Sequence, residues 1–96
     1  MVVVLRSLLA EEDLVAIWSY YYKTAGQNRA DRLLDRLGET CSLLATQPLM
    51  GRERRDFKPG LRSFPVESYL IIYRAFENGL EVLRVLHQSK DITNLF

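Results

Sequence analysis

The chain has 96 residues, 48% of them hydrophobic and 26% charged, with a net charge of +1. That length fits a single domain, 1–96, with the composition of a globular protein and modest stability. The near-neutral balance excludes a molecule that holds nucleic acid by bulk charge, and one cysteine, Cys41, with one histidine, His87, excludes an intrachain disulfide and a zinc site.

Residues 1–5 are apolar but too short to cross a membrane, and they lack the basic flank of a secretory signal. They read as an N-terminal strand in a cytoplasmic protein with no membrane partner. Ser7 is a good N-cap, and Glu11, Glu12 and Asp13 suit the start of a helix dipole. Leu14, Ile17, Trp18 and Tyr21 recur at helical spacing along one face, and Ala25-Gly26 ends the run. Tyr21 belongs to the core in this reading, with Tyr20 and Tyr22 on other faces. A second helix starts near Gln27. Ala30, Leu33, Leu34, Leu37, Cys41 and Leu44 form its apolar stripe, and Arg32–Asp35 and Arg36–Glu39 are opposite charges at i, i+3. Gly38 sits inside this helix at a cost of roughly 1 kcal/mol against Ala, which suggests close approach to the first helix. Cys41 lies on the stripe and reads as a small buried hydrophobe. The two helices form an αα-hairpin.

Residues 48–60 read as a loop by their Pro and Gly punctuation, and a loop of that length is often functional. Charge is concentrated there. Arg52, Arg54, Arg55, Lys58 and Arg62 face only Glu53 and Asp56, a segment suited to phosphate or to an acidic partner. Three strand-like runs follow: residues 61–66, where Pro65 indicates an edge, then 68–76 and 80–87. Glu77-Asn78-Gly79 separates the last two, and Asn-Gly predicts a two-residue type I′ turn. Centred on Asn78-Gly79, that turn sets Leu70 opposite His87, Ile72 opposite Val85, Arg74 opposite Leu83 and Tyr73 opposite Arg84. Arg74 and His87 then share a face. In the tail, Ile92, Leu95 and Phe96 have the spacing of a short helical turn.

No P-loop, GxGxxG or GxSxG motif is present, so no cofactor is expected. What chemistry remains is phosphodiester cleavage without metal. Arginines would stabilise the transition state and His87 would act as general acid.

The ordered motifs resemble the ParE branch of the RelE/ParE superfamily of type II toxin–antitoxin toxins. They are Asp13-Leu14-x-x-Ile17-Trp18-x-Tyr20; Pro48, Gly51-Arg52, Arg54, Asp56 and Pro59-Gly60-Leu61-Arg62-Ser63-Phe64-Pro65-Val66; Tyr69-Leu70-Ile71-x-Tyr73-Arg74; and Arg84-Val85-Leu86-His87, with Lys90-Asp91 where Arg-Asp is usual. The resemblance spans nearly the whole chain. It implies an α+β fold of βααβββ order, an antiparallel sheet packed against an αα-hairpin with a short C-terminal tail. It also implies a cognate antitoxin that wraps the surface, and inhibition of DNA gyrase, hence of replication, in the service of plasmid stabilisation. Antitoxin or target would meet Arg52, Arg54, Arg62, Trp18 and Tyr22. RelE-like relatives instead cleave mRNA on the ribosome. Where they carry an Arg after the strand tyrosine and a C-terminal Tyr, this chain has Leu70 and Phe96, which cannot serve a phosphorane. A ribonuclease would have to rely on Arg62, Arg74, Arg84, His87 and Lys90. A third reading is a non-toxic relative that only binds its antitoxin.

Overall fold

The structure, a computed structural model, describes residues 2–89. The elements in chain order are β1 (Val3–Arg6), α1 (Leu8–Ala25), α2 (Gln27–Thr46), β2 (Arg52–Glu53), β3 (Arg62–Val66), β4 (Tyr69–Phe76) and β5 (Gly79–His87). They form one sheet of order β1-β5-β4-β3-β2 under an αα-hairpin, the α+β arrangement the motifs imply. Two details differ from the sequence reading. The loop 48–60 contains the short strand β2, and the sheet is mixed: β2 to β5 are antiparallel neighbours, whereas β1 joins β5 in parallel. A parallel neighbour requires a long connection, and here it runs from β1 through the helical hairpin and then β2, β3 and β4 before reaching β5. The tail residues Ile92, Leu95 and Phe96 lie outside the described residues.

Ser7 caps α1 as its position predicts. Its hydroxyl accepts from Ala10 N at 3.0 Å and donates to the Leu83 carbonyl at 2.7 Å. Gly26, at φ 89°, ends α1 and opens α2, a left-handed conformation for which glycine is the default residue. The α2 stripe is buried or half-buried, Cys41 included, against Ile71, Tyr73, Leu80, Val82 and Val85 on one face of the sheet. Burial pushes the Cys41 thiol up to about 11, so it stays protonated at neutral pH and does not act as a nucleophile. The other face has its own small core. Phe57 and Leu61 fold back from the loop onto Leu70, Ile72 and Leu86.

The β4–β5 hairpin corrects the register read from Asn78-Gly79. Phe76 pairs with Gly79, so the turn residues are Glu77 and Asn78. Neither has positive φ; among the described residues Glu67 is the only non-glycine that does, at 53° in the β3–β4 turn. The turn is therefore not type I′. Gly79 serves the sheet instead: a Cβ there would overlap the backbone of Val3 on the neighbouring strand. Further along, Ile72 pairs with Arg84 and Tyr73 with Val82, leaving Leu83 as an extra residue in a β-bulge. Tyr69, not Leu70, opposes His87. A register change of one residue exchanges faces. His87 thus contacts Tyr69 on the helix-covered face (ring centroids 5.4 Å apart), while Arg74 and Arg84 lie on the other with Ile72.

Gly38 also differs from its sequence reading. No atom lies within 4 Å of where its Cβ would be, so no close helix approach requires it. Gly38→Ala should raise the denaturation midpoint by the equivalent of about 0.5–1 kcal/mol, through helix propensity alone. Gly79→Ala should lower it by clashing with Val3. Equal effects of the two in urea melts would contradict these roles.

Candidate interaction surface

The loop 48–62 is held by side chains that fold under it. Tyr73 is fully buried, and its hydroxyl donates to the Pro48 carbonyl at 2.7 Å and accepts from Gly51 N at 2.9 Å. Burial raises its pKa, so the phenol keeps its proton. A Cβ on Gly51 would overlap the Tyr73 ring, which accounts for the glycine. Arg62 closes the same turn by donating to the Gly51 carbonyl at 2.8 Å.

Two of the arginines assigned to binding have intrachain partners. Besides Arg62, Arg54 is mostly buried. It bonds both oxygens of Asp56 and the Ser63 hydroxyl, and its guanidinium lies 4.0 Å from the centroid of the Phe57 ring. Hydrogen bonding to Arg54 holds the Asp56 carboxyl below the usual carboxylate range. Arg52 is exposed at the sheet edge, and its side chain makes no hydrogen bond or ion pair among the described residues.

The residues of the ribonuclease reading do not converge. Arg84 donates Nε and Nη2 to the Asp13 carboxylate at 2.8 and 3.0 Å, and the same carboxylate accepts from Val85 N at 3.0 Å. Arg74 pairs with Glu81. Both lie on the sheet face opposite His87, whose Nδ1 is 2.7 Å from the Ser89 hydroxyl. Arg62 pairs with Tyr73 on the helix side. Lys90 lies outside the described residues.

Trp18 and Tyr22 do come together. Their rings stack with centroids 5.0 Å apart, and Trp18 Nε1 donates to Asp31 of α2 at 2.9 Å. Beside them Leu14, Val15 and Leu34 line an apolar depression that shares Arg6, Leu14 and Leu34 with a groove of about 400 Å³ between the hairpin and β1. The groove is bordered by Val4, Leu37, Cys41 and Val85. Strand β1 is exposed along its length and, among the described residues, has no partner on its outer edge. The aromatic pair and Arg52 therefore belong to different regions. β1 and β2 are the two edges of a five-stranded sheet, roughly 19 Å apart at the usual strand spacing.

The family model described as "ParE toxin of type II toxin-antitoxin system, parDE" matches residues 4–92. The chain belongs to the ParE toxin family. It is 33% identical over 89 residues to Toxin ParE1 of Mycobacterium tuberculosis, covering 92% of this chain and 91% of the relative. It is 30% identical over 83 residues to Toxin ParE3 of Caulobacter vibrioides, covering 86% and 83%. A solved chain of the chromosomal ParDE TA system from P. aeruginosa shares the fold at a TM-score of 0.77 and 22% identity, covering 91% of this chain and 96% of that one.

Several of the motif residues have structural duties in this ParE-family chain. Pro48, Gly51, Arg62 and Tyr73 hold the loop, and Asp13 and Arg84 tie α1 to β5. The contribution of Phe57 went unseen because a lone aromatic in a charged loop has no periodicity. The Asp13–Arg84 pair links residues 71 positions apart and left no local signal. Tyr73→Phe should cost about 1–3 kcal/mol, because it strands the Gly51 N–H and the Pro48 carbonyl. It should also speed hydrogen exchange at the Gly51 amide. An unchanged unfolding midpoint with unchanged exchange would contradict the anchoring role.

Proposed function

We propose that this ParE-family toxin blocks replication by inhibiting DNA gyrase through protein contact in the cytoplasm. A cognate antitoxin holds it inactive, and the pair stabilises the plasmid or other replicon that carries it. The observation that carries the reading is the family match over residues 4–92. The dispersal of Arg62, Arg74, Arg84 and His87 over two sheet faces supports contact rather than phosphodiester chemistry.

For the antitoxin we propose the groove between β1 and the helical hairpin, extended over Val15, Trp18 and Tyr22. Val15 and Tyr22 are more than half exposed there, and among the described residues β1 has no partner on its outer edge. Contiguous exposed apolar surface of this kind suits an amphipathic segment. Such a segment must be long to reach Arg52 as well, which fits an antitoxin that wraps. Of the three arginines assigned to binding, Arg52 is the one whose guanidinium makes no hydrogen bond or ion pair among the described residues.

The test is expression of the chain with and without its antitoxin. Growth arrest with blocked replication, relieved by the antitoxin, is the expected outcome. His87→Gln should leave arrest intact. Val15→Glu should weaken relief about tenfold or more, since it buries a charge in an apolar contact. Unimpaired growth would identify a relative that only binds its antitoxin, and loss of arrest in His87→Gln with mRNA cleavage by the parent chain would identify a ribonuclease.

A further inference from the structure

A second concavity, of about 620 Å³, opens on the sheet face away from the helix-covered core, where the loop carrying Lys58 meets β4 and β5. Leu9, Leu61 and Leu83 supply apolar walls, and Lys58, Arg74 and Arg84 supply positive charge. The three cations are not equivalent. Arg84 is neutralised by Asp13. Arg74 directs Nε and Nη2 to one oxygen of Glu81, at 3.0 and 2.9 Å, while its side chain remains 61% exposed. Lys58 is exposed, and its ammonium has no hydrogen bond or ion pair among the described residues. Gly60, at φ 87°, turns the chain between Lys58 and the buried Leu61.

We propose that this pocket binds an acidic side chain with an apolar neighbour on the toxin's protein target, as a surface separate from the antitoxin groove. The carboxylate would lie between Lys58 and the exposed side of the Arg74 guanidinium, where charge-assisted hydrogen bonds are strongest. The neighbouring apolar side chain would cover Leu9, which is 53% exposed, and Leu83. Nucleic acid fits the site less well. Among the described residues no aromatic side chain lines it for base stacking. The antitoxin fits it less well because the groove opens between the hairpin and β1, on the helix side of the sheet. The assignment to the target rests on the toxin reading above.

The experiment compares the full chain with Lys58→Glu, Lys58→Arg, Arg74→Glu and a control, Arg55→Glu. Arg55 is 82% exposed, pairs with Glu53 and does not line the pocket. Three quantities are read for each: growth arrest, gyrase inhibition by the purified protein, and affinity for the antitoxin by calorimetry. Unfolding midpoints confirm intact folding of these surface variants. Lys58→Glu and Arg74→Glu should lose about tenfold or more in potency, while Lys58→Arg and Arg55→Glu keep it and antitoxin affinity stays unchanged. A parallel loss of antitoxin affinity would transfer the pocket to the antitoxin and overturn the proposal. An equal loss in Arg55→Glu would reduce the effect to general electrostatics, and undiminished potency in both pocket variants would remove the site. A parent chain that arrests growth without inhibiting gyrase would sink the gyrase reading alone, because the same variants scored by growth arrest still decide the pocket.

Discussion

The β-bulge at Leu83 is the joint on which this molecule turns. An extra residue in β5 takes backbone groups out of the regular ladder, and the start of α1 receives them. The Ser7 hydroxyl donates to the Leu83 carbonyl, and Asp13 accepts from Val85 N and holds the Arg84 guanidinium. Hydrogen bonds to charged groups are worth about 1.5–3 kcal/mol each. One side chain thus fixes the angle of the first helix on the sheet, and the second helix follows through a link at Gly26. The groove along β1 exists because this joint sets where the hairpin sits.

The bulge also decides which side chains share a face. It separates Arg74 from His87 and puts Arg74 on the same face as Arg84. The helix side is a core that ends in an apolar groove. The far side is closed by Phe57 and Leu61 of a loop that Tyr73 and Arg62 anchor from the helix side, and it ends in a cationic pocket. A protein of this size needs most of its apolar residues for stability. Apolar surface left open on β1 and α1 is therefore informative about binding. The same reasoning applies to Lys58, a cation with no partner among the described residues in a loop whose other charges are largely paired.

The order of elements was legible in the sequence because local signals agreed: helical periodicity, Ser7 as a cap, Gly26 as a break and two β-rich runs before and after a turn. The family motifs added the βααβββ order but not the parallel pairing of β1 with β5. What stayed hidden was long-range. Asn78-Gly79 has the composition of a hairpin turn, but the glycine is required by Val3, 76 positions earlier, and the turn moves back by one residue. Moving the turn shifts the pairing by two residues and keeps the faces, so it is the bulge that reverses the face expected for His87 relative to Arg74. At the interaction surface, Trp18 and Tyr22 go together only through the family resemblance, since helical spacing puts Tyr22 on another face, and the structure stacks their rings. The intrachain bonding of Arg54 and Arg62 could not be read from the sequence, because it depends on Asp56, Ser63 and the Gly51 carbonyl being brought to them by the fold.

A supercoiling assay with purified DNA gyrase, this protein and its antitoxin tests the central claim most directly. Contact-based inhibition predicts loss of supercoiling with accumulation of cleaved DNA, reversed when the antitoxin is added. Undiminished supercoiling at large molar excess of the protein would contradict it and direct attention to mRNA cleavage on ribosomes.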